Sequence, residues 1–175
     1  ENAAKEKRIH AAFGVLREKL HASKPDVILI FGDDQLEQCD FRNFPAMQLF
    51  TGESYSGYKV SRMIGLPVGT KREERPRTPE NWVTLKNHQP FAQSLMKELV
   101  SDGFDLAFSD GLTDEEEGMG HAFMRPLHYL DPEYTVPMVP FMVNCYFGPQ
   151  PTGKRCYQLG RAVRAAIERM PLDLN

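Results

Sequence analysis

Apolar and polar residues alternate along this chain with two distinct periods. From Ala4 to Ala22, Ile9, Phe13, Leu16 and Leu20 recur at helical spacing among lysines and glutamates, which predicts an amphipathic helix with those four residues on its core face. Pro25 ends it. Val27–Phe31 is a continuous apolar, β-branched run, the pattern of a strand buried on both faces, and it empties into Gly32-Asp33-Asp34-Gln35. A strand is predicted over Ala46–Phe50. Residues 51–79 are glycine-rich, polar and then strongly charged, and read as a long loop excursion that can hold a hairpin of its own.

A helix follows over His88–Ser101. Asn87 is its candidate cap, Phe91, Leu95 and Leu99 share its apolar face, and Gly103 stops it. Further elements are expected at Phe104–Ser109 (strand), Ala122–Leu130 (short helix), Val136–Phe147 (strand, interrupted by Pro137 and Pro140) and Thr152–Met170 (helix). Helices alternating with buried strands imply an α/β fold. We expect one domain over residues 1–175, with a central mostly parallel or mixed sheet and helices on both faces. The chain opens without Met, directly in a helical pattern, and stops just after another helix. This leads us to expect the central part of a longer chain.

Composition narrows the function classes. The 175 residues are 41% hydrophobic and 26% charged, ordinary for a globular domain, with a net charge of −3. That balance gives no reason to expect nucleic acid or an anionic membrane as partner. No apolar run approaches the length of a membrane span. Cys39, Cys145 and Cys156 are odd in number and scattered, which points to a reducing compartment, the cytoplasm, rather than a disulfide framework. There is no phosphate-binding glycine loop, no Gly-x-Ser-x-Gly elbow and no pair of cysteines or histidines at zinc spacing.

Three segments are expected to project from the carboxyl ends of strands, where ligands bind in α/β sheets: Asp33–Glu37, Asp110–His121 and Asn144–Tyr146. Adjacent carboxylates after a buried strand must be hydrogen-bonded, paired or bound to metal. Asp33 and Asp34 therefore read either as a backbone-capping turn or as part of a metal or substrate site with Gln35 and Glu37. His121 follows Gly118-Met119-Gly120, a loop whose backbone can approach a ligand closely. At a helix start its imidazole is disfavoured as a cation, which suits a general base, although a packed, satisfied histidine would look the same. His128, seven residues on, shares that face and could orient substrate or sit at the core edge. His88, at a helix start, reads as a capping or surface residue, and His10 and His21 read as surface positions. Lys154, Arg155 and Arg161 could receive an anion or simply be solvated.

The order of these motifs resembles a known family. Ile30-Phe-Gly-Asp-Asp-Gln35 with Glu37, Gly118-Met-Gly-His-Ala-Phe-Met-Arg-Pro-Leu127, Val136–Tyr146 and Arg155–Arg161 are similar in order and spacing to class III (LigB-like) extradiol ring-cleavage dioxygenases. The resemblance runs from about Pro25 to Ile167. It implies a non-haem Fe(II) held by two histidines and a glutamate, a catechol-type aromatic substrate and O2, and ring opening beside the hydroxyl pair. The histidine matching His121 acts in that family as base and then acid. His128, Asn144 and Tyr146 fall where substrate would be bound. One family ligand precedes the first helix, another follows the last, and the third falls at Gln35. Gln35, Glu37 and Asp34 are thus the candidate metal ligands within this chain. A homo-oligomer, or pairing with another subunit, is expected. A non-catalytic, metal-free binding or scaffold member of the fold is the alternative, and a metal-dependent hydrolase using Asp33 and Asp34 a weaker one.

Overall fold

A computed structural model describes residues 2–60 and 75–174. Its elements in chain order are α1 (Asn2–Ala22), β1 (Ile28–Gly32), β2 (Met47–Phe50), β3 (Ser54–Tyr58), β4 (Trp82–Lys86), α2 (Gln89–Ser101), β5 (Ala107–Ser109), α3 (His121–Leu130), β6 (Met138–Val143) and α4 (Gly153–Arg169). Four strands form a mixed sheet in the order β1-β6-β2-β5, and β3 and β4 make a separate antiparallel pair. The expected α/β domain with helices on both faces is what the chain forms.

The strand periodicity explains the two cores. Val139 and Phe141 of β6 and Leu49 of β2 point to one face, against Phe91, Leu95 and Leu99 of α2 and Leu159, Val163 and Ala166 of α4. Met138 and Met142 point to the other, against Met124, Phe123 and Leu127 of α3 and Tyr55 and Leu85 of the β3–β4 hairpin. Each fully buried side chain of this size contributes about 1.5–3 kcal/mol. β6, wholly buried until Val143, is the hydrophobic spine of the sheet.

Several sequence expectations shift. β1 is an edge strand rather than one buried on both faces, and Phe31 is 48% exposed. It reads as buried because its inner residues cover both cores in part. α1 buries no residue: Ile9 and Leu16, expected on its core face, are exposed. The helix is held by Phe13, stacked on Tyr129 at 4.5 Å, and by Arg17, which donates to the Tyr129 carbonyl. Asn87 does not cap α2. His88 does, its Nδ1 accepting from Phe91 N–H, while the Asn87 amide donates to the carbonyl of Gly52. Both long strands are shorter than their apolar runs, at Ala107–Ser109 and Met138–Val143. The excursion contains β3, but its return strand β4 lies beyond Pro79. Residues 61–74, including most of the charged run, lie outside the described residues.

One difference bears directly on the site. β1 and β6 run parallel, whereas β2 is antiparallel to β6 and β5 is parallel to β2. The carboxyl ends of β1 and β6 therefore share one edge of the sheet, and that of β5 lies at the opposite edge. The loop after β5 must run back across the sheet to bring Gly118–His121 to the end of β1.

Candidate active site

The loop after β1 is organised by Asp34. Its buried carboxylate accepts the backbone N–H groups of Glu37, Gln38 and Cys39 at 3.1, 2.9 and 3.2 Å. This closes a tight turn, with Leu36 at φ 65°, and answers the desolvation cost of the charge. Asp34 is therefore spent on backbone. The Gln35 amide reaches the carboxylate of Asp33 at 3.3 Å.

The turn aims two side chains at the loop that returns from β5. The Gln38 amide donates to the carbonyls of Asp114 and Gly118 at 2.8 and 2.7 Å, and its oxygen accepts from Asp114 N–H. Asp114 in turn caps the amides of Glu116 and Glu117. The β3–β4 hairpin holds the loop from its other side, where Met119 N–H donates to the carbonyl of Ser56. Gly118 has φ +74°, and a Cβ there would lie 2.6 Å from Trp82 and 2.7 Å from the Cα of Gly57. Only glycine fits that backbone and that gap.

Glu37 meets His121. Its Oε1 lies 2.9 Å from the His121 backbone nitrogen and 2.8 Å from Nδ1. The backbone bond satisfies an open donor at the start of α3, whose cap position is Gly120 and offers no side chain. A carboxylate at a helix N-terminus is favoured as well by the helix dipole, typically by about 0.3–1 kcal/mol. The Glu37 side chain is 8% exposed and that of His121 26%. The second Glu37 oxygen, Oε2, is buried without a hydrogen-bond partner among the described residues. A Cβ on Gly120 would stand 2.7 Å from it, so the glycine makes room for the carboxylate.

His128, Asn144 and Tyr146 make their described contacts elsewhere. His128 sits in the last turn of α3, roughly 10 Å along the axis from His121, its Nδ1 3.2 Å from the Tyr134 hydroxyl. Its pKa is lowered first by burial and then by the charges of Lys59 and Arg17. Asn144 is buried, and both ends of its amide close a turn on Phe147. Tyr146 is 59% exposed. Cys39 donates to Gln48 Oε1, and burial with the nearby Asp34 and Asp40 pushes its thiol up to about 12, so it stays protonated and unreactive. A cavity of about 40 Å³ beneath the two loops, walled by Asp34, Cys39, Gln48 and Met119 among others, has room for water but not for an aromatic ring. His121 is not on its wall.

The family described as "Catalytic LigB subunit of aromatic ring-opening dioxygenase" matches residues 2–175. The chain belongs to that family. The chain is 32% identical over 100 residues to gallate dioxygenase of Pseudomonas putida, covering 55% of this chain and 28% of that protein. It is 27% identical over 161 residues to 2,3-dihydroxyphenylpropionate/2,3-dihydroxicinnamic acid 1,2-dioxygenase of Photorhabdus laumondii, covering 91% of this chain and 43% of that one. The chain thus spans less than half the length of either relative.

The iron implied by the LigB resemblance can be tested against the donors on hand. Asp34 accepts three backbone amides, Gln35 leans on Asp33, and the Glu37 oxygen nearest His121 carries two hydrogen bonds. Among the described residues no three His, Cys, Asp or Glu side chains gather in a way that could hold a metal ion. The donors described here do not fit an iron site by themselves. Sequence reasoning missed Gln38, which clamps the returning loop, and Trp82, which closes over Gly118. It had no signal for Gln38, because that contact spans 76 residues.

Proposed function

We propose that this LigB-family chain works in an extradiol dioxygenase that opens the ring of a catechol-type aromatic with O2, and that His121 is its acid/base residue. The observation carrying the reading is the placement of His121. It stands at the first position of α3, held through Nδ1 and partly exposed, so Nε2 is the nitrogen left to meet a substrate. Two relatives named as dioxygenases of hydroxylated aromatics support it.

In this reading a catechol hydroxyl gives its proton to Nε2 of His121. The hydroxyl oxygen gains electron density as the O–H bond breaks, which primes the ring for oxygen. The same nitrogen returns the proton to oxygen as the carbon–carbon bond beside the hydroxyl pair opens, and both atoms of O2 end in the product. A positioned group of this kind supplies about a hundredfold to ten-thousandfold. Fe(II) is the metal the family resemblance implies for O2 chemistry. The described residues of this chain supply proton transfer and positioning. The test is ring-cleavage absorbance with a panel of catechols after anaerobic Fe(II) loading. His121→Asn is expected to lower turnover at least about a hundredfold, and unchanged turnover would contradict the role.

The internal engagement of Asp34, Gln35 and Glu37 favours one second reading, a metal-free binding member of the same fold. Tight binding of a catechol without metal and without oxygen uptake would select it.

A further inference from the structure

Glu37 was a candidate metal ligand by sequence, but its surroundings suit a different task. We propose that Glu37 is the positioning residue for His121, fixing its imidazole as the Nδ1–H tautomer and leaving Nε2 unprotonated. The inference rests on the acid/base reading of His121.

Three observations converge. Oε1 accepts from the His121 backbone N–H at 2.9 Å, an atom that can only donate, so this oxygen is oriented as an acceptor before the ring is considered. The same oxygen is 2.8 Å from Nδ1, and a carboxylate beside a ring nitrogen stabilises the tautomer with hydrogen on that nitrogen. The two bonds together tie ring and backbone of one residue to a single atom, which fixes the ring relative to the helix start. Oε2 is enclosed near Gly120, buried and without a partner among the described residues, so the carboxylate has little freedom to turn outward toward a metal.

The site is also built from both sides to keep Glu37 there. The Asp34 carboxylate accepts the Glu37 backbone N–H, fixing the residue's start, and Gln38 locks the same turn to the loop carrying Gly118. When Nε2 accepts a proton from substrate, the ring becomes a cation facing a buried carboxylate that needs no rearrangement to stabilise it. Glu37 itself touches no reacting atom.

The test compares Glu37→Ala and Glu37→Gln in the full chain. The first readout is the imidazole nitrogen spectrum of His121 by long-range proton–nitrogen NMR, which needs no metal, substrate or turnover. The wild-type protein should show hydrogen on Nδ1. Glu37→Ala should lose that preference. Glu37→Gln, whose amide oxygen can still accept, should keep it. The second readout is turnover on a catechol: kcat is expected to fall about a hundredfold in Glu37→Ala with KM little changed, and to recover at least about tenfold in Glu37→Gln. The proposal is overturned if the wild-type ring carries hydrogen on Nε2. It is also overturned if Glu37→Ala keeps the Nδ1–H form, or if both variants lose activity equally and in proportion to lost iron, the behaviour of a metal ligand. Should Glu37→Ala not fold, the wild-type and Glu37→Gln spectra decide. If His121→Asn leaves turnover intact, the acid/base reading fails while the tautomer result stands or falls separately.

Discussion

The two ends of α3 carry the same residue type on the same face, yet they are chemically unlike. At the amino end, His121 meets a buried carboxylate, Glu37, through both its backbone and its ring. At the other end, His128 meets a neutral phenol, Tyr134, with Lys59 and Arg17 near enough to disfavour its cation. The first environment sets a carboxylate oxygen 2.8 Å from a ring nitrogen. The second resists protonation. What a histidine can do here is decided by what faces it, and spacing on a helix says nothing about that.

The largest effect expected from this contrast is kinetic. His121→Asn should cost catechol turnover about a hundredfold or more, while His128→Asn should stay within about threefold, since only the first is the proposed acid/base residue. Equal losses would erase the distinction. Next is the shared support. Leu127, fully buried beneath the helix, should cost about 2–5 kcal/mol when cut to alanine, read from urea denaturation, and should disturb both ends alike. Gly118→Ala should separate them. Its backbone strain is worth about 1–3 kcal/mol before the contact with Trp82 is counted. The His121 resonances should shift while those of His128 hold.

The smallest effect belongs to His128 alone. Its folded pKa lies below the ordinary value of 6.5, so the unfolded chain takes up this proton first as pH falls. The stability gained by keeping the ring neutral is complete above the unfolded value. It is lost as pH falls from there through the lowered folded value. His128→Gln should flatten that part of the curve of urea midpoint against pH. An unchanged slope would mean that the burial and the two cations do not act on the ring as described.

Much of the fold was legible in the sequence, for reasons that are local. The apolar stripe of Phe91, Leu95 and Leu99 and the spacing of Leu159, Val163 and Ala166 follow from helical periodicity, and both helices form with those residues buried. Gly103 ends α2 at φ +82°, as its residue type predicts. Strand direction was not legible. Nothing in Ala46–Phe50 states that it runs antiparallel to β6, so the loop after β5 was expected at the wrong edge of the sheet. Nor does Val27–Phe31 announce an edge, because its inner side chains serve both cores. At the site, the glycine loop and His121 stood out because glycine and histidine are chemically specific. Glu37 stood out too, but for another task, since its partner lies 84 residues away and no local pattern joins them. Gln38 and Trp82 act through contacts of the same long-range kind.

The central claim is that Glu37 makes His121, and not His128, the proton-handling residue of this helix. The most direct measurement is one long-range proton–nitrogen spectrum of the wild-type protein near neutral pH, with both histidines assigned. The account predicts hydrogen on Nδ1 of His121, with Nε2 bare, and loss of that preference in Glu37→Ala while His128 is unmoved. A His121 ring protonated on Nε2, or indifferent to the loss of Glu37, would contradict it.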